Sequence, residues 1–125
     1  MRRSIEVEGF KHGNPIPAAS RIGNIVMSGV ISARDARTAT MPDTLAGQCA
    51  AMFANVRAIV EAAGGTVESI LKMTVWLRDP SDRKALNEEW VKMFPDPAAR
   101  PARHSLPHQG GGNALVLCDF TAVLG

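Results

Sequence analysis

The sequence predicts an α+β fold in which two amphipathic helices cover one face of a sheet, and three periodicities carry that expectation. Leu45, Cys49, Met52, Phe53, Val56, Ile59, Val60 and Ala63 fall at offsets 0, 4, 7, 8, 11, 14, 15 and 18. That stripe holds the 3.6-residue helical period for about five turns. Leu71, Met73, Val75 and Leu77 alternate with Lys72, Thr74, Trp76 and Arg78, the period of two that marks a strand with one apolar face. Near the end of the chain, Val116, Cys118, Phe120, Ala122 and Leu124 alternate with Leu115, Leu117, Asp119, Thr121 and Val123.

Taken in order, residues 4–10 set Ile5, Val7 and Gly9 against Glu6, Glu8 and Phe10 and read as a half-exposed strand. Gly13-Asn14-Pro15-Ile16-Pro17 follows as a turn-rich stretch, its prolines unable to donate to a ladder. Residues 22–28 read as a short strand starting at a turn on Gly23-Asn24, and residues 33–42 have the composition of a surface loop. Asp43 or Thr44 can cap the first helix, and Gly64-Gly65 supplies its left-handed stop. After the strand around residues 71–78, Asp79-Pro80 is expected to open the second helix, with Pro tolerated in the first turn. Leu86, Trp90, Met93 and Phe94 form its stripe, and Pro95, Pro97 and Pro101 forbid continuation. A strand near 102–106, a Gly110-Gly111-Gly112 turn and a long strand over 114–124 complete the chain.

At 125 residues, the length suits one domain over 1–125. Fourteen Lys and Arg against 12 Asp and Glu leave a formal charge of +2, with both signs spread along the chain. No basic stripe marks a nucleic-acid binder, and no apolar run approaches the ~20 residues of a membrane helix. The start, Met1-Arg2-Arg3-Ser4-Ile5-Glu6, turns acidic before an apolar segment forms, so a signal peptide is not expected. Cys49 and Cys118 match no metal or redox spacing and are read as buried free thiols in a reducing, cytoplasmic compartment. In the last strand both faces are largely apolar. Two helices cover one face of a small sheet, so the other calls for a partner surface, and a homo-oligomer packing sheet on sheet is expected.

Several strings in this order resemble the reactive-intermediate deaminase family, also called the RidA or YjgF family. They are Gly23-Asn24 leading to Ser28-Gly29; Asn55-Val56-Arg57-Ala58-Ile59-Val60-Glu61-Ala62-Ala63-Gly64; Lys72-Met73-Thr74-Val75-Trp76-Leu77-Arg78-Asp79; Leu86-Asn87; Phe94; and Pro101-Ala102-Arg103. The resemblance runs from about Pro15 to Val123. It implies a ferredoxin-like, chorismate-mutase-type fold, packed as a homotrimer with clefts at subunit interfaces. It also implies hydrolysis of enamine or imine acids to 2-oxo acids and ammonia, with no metal or organic cofactor.

On that resemblance, Arg103 would anchor the substrate carboxylate, for which a guanidinium fork offers two parallel donors. The plain alternative is an Arg paired with Asp119 or a glutamate. Arg100 sits in a near-duplicate string, but the strand begins nearer Arg103. Ser105, where the family commonly has a cysteine or another small residue, would meet the other carboxylate oxygen or the imine. Asn87 would add a polar contact, and Ser28 would line the cleft. Two positions depart from the family. Ile16 stands where a Tyr is common, and Leu117 stands where deaminating members carry a Glu that positions water. Asp119, two residues on and facing the same side as Leu117, is the replacement candidate.

His104 and His108 have the spacing of a helical zinc pair, but Pro107 forbids the helix, and no metal site is expected. A triad of Ser105, His104 and Asp119 is disfavoured because adjacent strand residues face opposite ways. The expected function is therefore an enamine or imine deaminase acting on a small carboxylate-bearing substrate. That substrate would resemble 2-iminopropanoate or 2-iminobutanoate, or be a larger aminomuconate-like intermediate. The alternatives are a non-catalytic small-carboxylate-binding or chaperone-like trimer and, with less support, an endoribonuclease.

Overall fold

The computed structural model describes residues 1–10 and 13–125. Six strands, β1 (Arg3–Ile5), β2 (Ala19–Ile22), β3 (Ile25–Ser28), β4 (Ile70–Leu77), β5 (Ala102–Pro107) and β6 (Val116–Val123), form one sheet. Two α-helices, α1 (Leu45–Ala62) and α2 (Lys84–Met93), and a short 3₁₀ helix at Val67–Ser69 complete the order among the described residues. The sheet runs β1-β2-β3-β6-β4-β5 and is mixed: β4 and β5 are parallel, and the other pairs are antiparallel. A parallel pair needs a crossover rather than a hairpin. Here α2 is that crossover, which leaves β5 at the sheet edge alongside the helix.

Thr44, of the two capping candidates, starts α1: its Oγ1 accepts from the Gly47 N–H at 3.0 Å. Gly64, at φ +97°, ends the helix in the left-handed region that a Cβ disfavours. The expected face of β6 is buried, with Val116, Cys118 and Ala122 fully covered and Phe120 nearly so. Met73, Val75 and Leu77 of β4 join it beneath both helices. Trp90 of α2 packs edge-on between Phe53 of α1 and Phe94.

Four local expectations are corrected. Strand β1 ends at Ile5 instead of running to Phe10, because a turn at Glu8-Gly9 redirects the chain, with Gly9 at φ +87°. The strand expected over 22–28 is β3, which starts at Ile25 after the turn, and an unexpected strand before it makes residues 19–28 a hairpin. The Gly23-Asn24 turn joins β2 to β3, and the short polar Ala19–Ile22 segment had no apolar periodicity to reveal it. Leu71 is 61% exposed, since a register shift between Ile70 and Lys72 inserts one residue and gives the core position to Ile70. Helix α2 starts at Lys84, several residues after Pro80. Asp79 folds the intervening segment into a turn, its Oδ1 accepting from the Ser81 N–H and Oγ–H at 3.1 and 2.7 Å.

Candidate functional site

The crossover geometry brings Arg103 to α2. In register, Arg103 lies opposite Met73 and Ser105 opposite Val75, so both point to the side of the sheet that carries the helices. The Arg103 Nη2 donates to Asn87 Oδ1 at 2.9 Å, and its Cζ lies 4.9 Å from the centre of the Trp90 ring. A guanidinium over an indole face gains a cation–π attraction that also fixes the plane of the fork. Burial, and secondarily the charge of Arg83, lower the Arg103 pKa from its ordinary value. Neither Asp119 nor a glutamate pairs with it: among the described residues the one ion pair is Lys92 with Glu89, at 3.0 Å.

Ser105 follows on the same face, half-buried and about 6.6–6.8 Å further along the strand. Arg100 is occupied elsewhere, its Nε donating to the Phe94 carbonyl at 2.8 Å. Arg103 and Asn87 are thus in contact, and Ser105 shares their side of the sheet.

Asp119 and Leu117 are not with them. Asp119 is in register with Thr74, and Leu117 with Trp76, positions on the opposite, helix-free face. His104 is also in register with Thr74, so Asp119, Thr74 and His104 form one row across β6, β4 and β5. Within one chain the sheet separates Asp119 from Arg103 and Ser105, because residues of odd and even register in β4 point to opposite sides. Burial raises the Asp119 carboxyl above its ordinary pKa of 3.8, although hydrogen bonds from Thr74 and the charge of Lys72 oppose the shift.

Ser28 is committed to the backbone: its Oγ accepts from Phe120 N–H at 2.9 Å and donates to the Gly29 carbonyl at 2.8 Å. Ile16, 52% exposed, lines a groove of about 420 Å³ with Phe10, Gly29, Ile31, Arg34 and Asn55. His104 lies on β5 and His108 just beyond its end, on extended backbone and not on a helix. No group of three or more His, Cys, Asp or Glu gathers among the described residues. Both cysteines are buried and unlinked. Burial, reinforced by the charges of Glu89 and Asp82, pushes the Cys49 thiol up to about 11, and burial raises Cys118 as well, which disfavours the reactive thiolate.

Two contributions were not anticipated. Trp90 was read from its stripe as a core residue, yet its ring also carries the Arg103 guanidinium. Its spacing of three from Asn87 is the signal that places both on one side of a helix. Gln48 and Asn55, buried in α1, hold the loops. Gln48 Nε2 donates to the carbonyls of Pro42 and Asn113, each at 2.9 Å, and Oε1 accepts from Leu115 N–H at 2.8 Å. Asn55 Nδ2 donates to the Ser32 and Arg34 carbonyls at 2.9 and 2.8 Å.

Fold and site together define a small α+β domain in which an arginine on the edge strand is clamped by the crossover helix. The sequence profile of the family described as Endoribonuclease L-PSP matches residues 15–107. The chain belongs to that family, the RidA/YjgF family. It is 37% identical over 81 residues to a RutC family protein of Haemophilus influenzae, a match covering 64% of this chain and 62% of the relative. It is 34% identical over 83 residues to the 2-iminobutanoate/2-iminopropanoate deaminase of Escherichia coli, covering 66% of this chain and 65% of that protein. The alignments thus span a little under two thirds of these relatives. The crystal structure of the Escherichia coli YjgF gene product superposes with a TM-score of 0.87 at 27% identity, covering 97% of this chain and 98% of that one.

Proposed function

We propose that this protein hydrolyses small enamine or imine acids to 2-oxo acids and ammonia, in clefts formed between copies of the chain in a homotrimer. The observation that carries this reading is Arg103: a half-buried guanidinium, oriented by Asn87 and Trp90, with no carboxylate partner among the described residues. Such a group has N–H donors left to receive a planar carboxylate. The name of the deaminase relative supports the choice of substrate.

The chemistry asks little of the side chains. A protonated imine is already electrophilic, so positioning supplies much of the rate. Arg103 holds the carboxylate, and Ser105 lies one same-face step away to orient the C=N group. Water adds to the carbon while the C=N π pair moves to nitrogen. One proton of the added water then passes to nitrogen, and the C–N bond breaks as the remaining O–H proton leaves to solvent, releasing ammonia and the 2-oxo acid. Asp119 of a second copy is the carboxylate available to steer the water, and its burial-raised pKa makes it a better base than an ordinary aspartate. Leu117 supports a second reading, a trimer that binds small carboxylates without turning them over, because the position lacks an acid–base group.

The test pairs binding with turnover. Titration calorimetry with 2-oxobutanoate should show affinity falling about 10- to 100-fold in Arg103→Ala, the range of a hydrogen-bonded charge contact. Arg103→Lys should do almost as badly, since a point charge cannot reproduce the fork. In a coupled assay an amino-acid oxidase supplies 2-iminopropanoate and semicarbazide traps what is left. Weak wild-type turnover is expected, and Leu117→Glu should raise it by up to the ~10²–10⁴-fold of a placed acid or base. Equal affinity in wild type and Arg103→Ala removes the anchor. Binding without turnover in either protein selects the second reading.

A further inference from the structure

A second cation, Arg83, stands at the N-cap of α2, the helix that holds Arg103. Asn87 and Trp90, three apart, share one side of the helix, and Arg83, at its N-cap, lies about one turn before Asn87. Arg103 reaches this same stripe, bonding Asn87 and stacking on Trp90. Arg83 is fixed from behind: its Nε donates to the Pro80 carbonyl at 2.8 Å, and its own carbonyl accepts from Asn87 N–H at 2.9 Å. Its terminal guanidinium nitrogens are left to solvent. Neither arginine has an ion-pair partner among the described residues, and the nearby Asp79 carboxylate is engaged by Ser81. The two charges sense each other, since Arg83 contributes to the lowered pKa of Arg103. Like charges brought together are unfavourable, and an anion reaching both would relieve the repulsion.

We infer that Arg83 is a second anion contact beside Arg103, and that the site takes imino and oxo acids bearing a second carboxylate in preference to monocarboxylates. The inference rests on the reading of Arg103 as a carboxylate anchor. A monocarboxylate satisfies only that anchor, whereas a four- or five-carbon dicarboxylate spans to the exposed guanidinium one helical turn from Asn87. Arg83 thereby sets specificity without taking part in the bond-breaking steps.

The experiment compares 2-oxoglutarate with 2-oxobutanoate by titration calorimetry at low salt, in wild type, Arg83→Gln and Arg83→Lys. The wild type should prefer the dicarboxylate by about three- to tenfold, a range set by the exposure of Arg83. Arg83→Gln should bring the ratio close to parity, Arg83→Lys should keep part of it, and added salt should shrink it in the wild type. Equal affinity for both acids in the wild type, or a preference untouched by Arg83→Gln, overturns this inference and leaves the Arg103 reading standing. Failure of both acids to bind overturns the two together.

Discussion

Asp119 shows how one carboxylate ties stability to pH. Burial favours its protonated form in the folded chain. The folded state therefore binds the proton more tightly than the unfolded state, and stability falls as pH rises from the ordinary carboxylate value of 3.8 through the raised one. The penalty is fully present above the folded pKa and absent below 3.8. Asp119→Asn should accordingly melt at a higher temperature than wild type near neutral pH, with the gap closing as the buffer is taken down through the carboxylate range. Melting curves at a series of pH values check this, and a gap that widens on acidification contradicts it. Arg103 is oriented by an amide and an indole, neither of which titrates in that range, so anchoring is expected to be indifferent to the same change.

The junction of α1, the loop before it and the entry to β6 turns on Gln48, which is 1% exposed and serves three backbone groups at once. Leu in its place would fill a comparable volume but leave the Leu115 N–H and the Pro42 and Asn113 carbonyls, in part-buried bonds, without their partner. Each buried orphan costs about 1–3 kcal/mol. Allowing for partial relaxation, Gln48→Leu should lower unfolding free energy by about 2–4 kcal/mol, measured by urea denaturation. A loss under about 0.5 kcal/mol, the size of an ordinary surface change, would show that water replaces the amide. Helix α2 presents a different lesson. Its stripe was legible, but its start was misplaced, since Pro80 serves the Asp79 turn and not a first helical turn.

Across the whole molecule, the helix-free face leaves Ile22, Ile25 and Met27 at least half exposed and Val123 at 40%. These residues cluster on β2, β3 and β6, beside the row that holds Asp119. In the proposed homotrimer a second and third copy would cover this face, and it is there that Asp119 and Leu117 would meet a neighbour. The expected result in light scattering at micromolar concentration is about three times the chain mass, as closed symmetry requires. Met27→Glu should shift the protein toward monomer, because it inserts a charge into an apolar interface, and should weaken 2-oxobutanoate binding along with it. A wild-type monomer would remove the interface cleft from the proposal.

What was readable from the chain alone was whatever repeats. The stripes of α1 and α2 and the alternation of β4 and β6 announce themselves because burial recurs at the period of the backbone. Strings such as Pro101-Ala102-Arg103 and Leu86-Asn87 carried a family resemblance, and that resemblance put Arg103, Asn87, Ser105 and Asp119 forward as one set. Where no period existed, the chain was silent. Strand β2 has four mixed residues, the bulge at Leu71 breaks its own pattern, and Gln48 and Asn55 look like surface polars until their partners are placed. The separation of Arg103 from Asp119 was also invisible in one dimension. Arg103 and Asp119 both sit in alternating strands, but only the register of each against β4 assigns them to opposite faces. That register arises from long-range ladder bonds and from the crossover through α2, neither of which local sequence encodes.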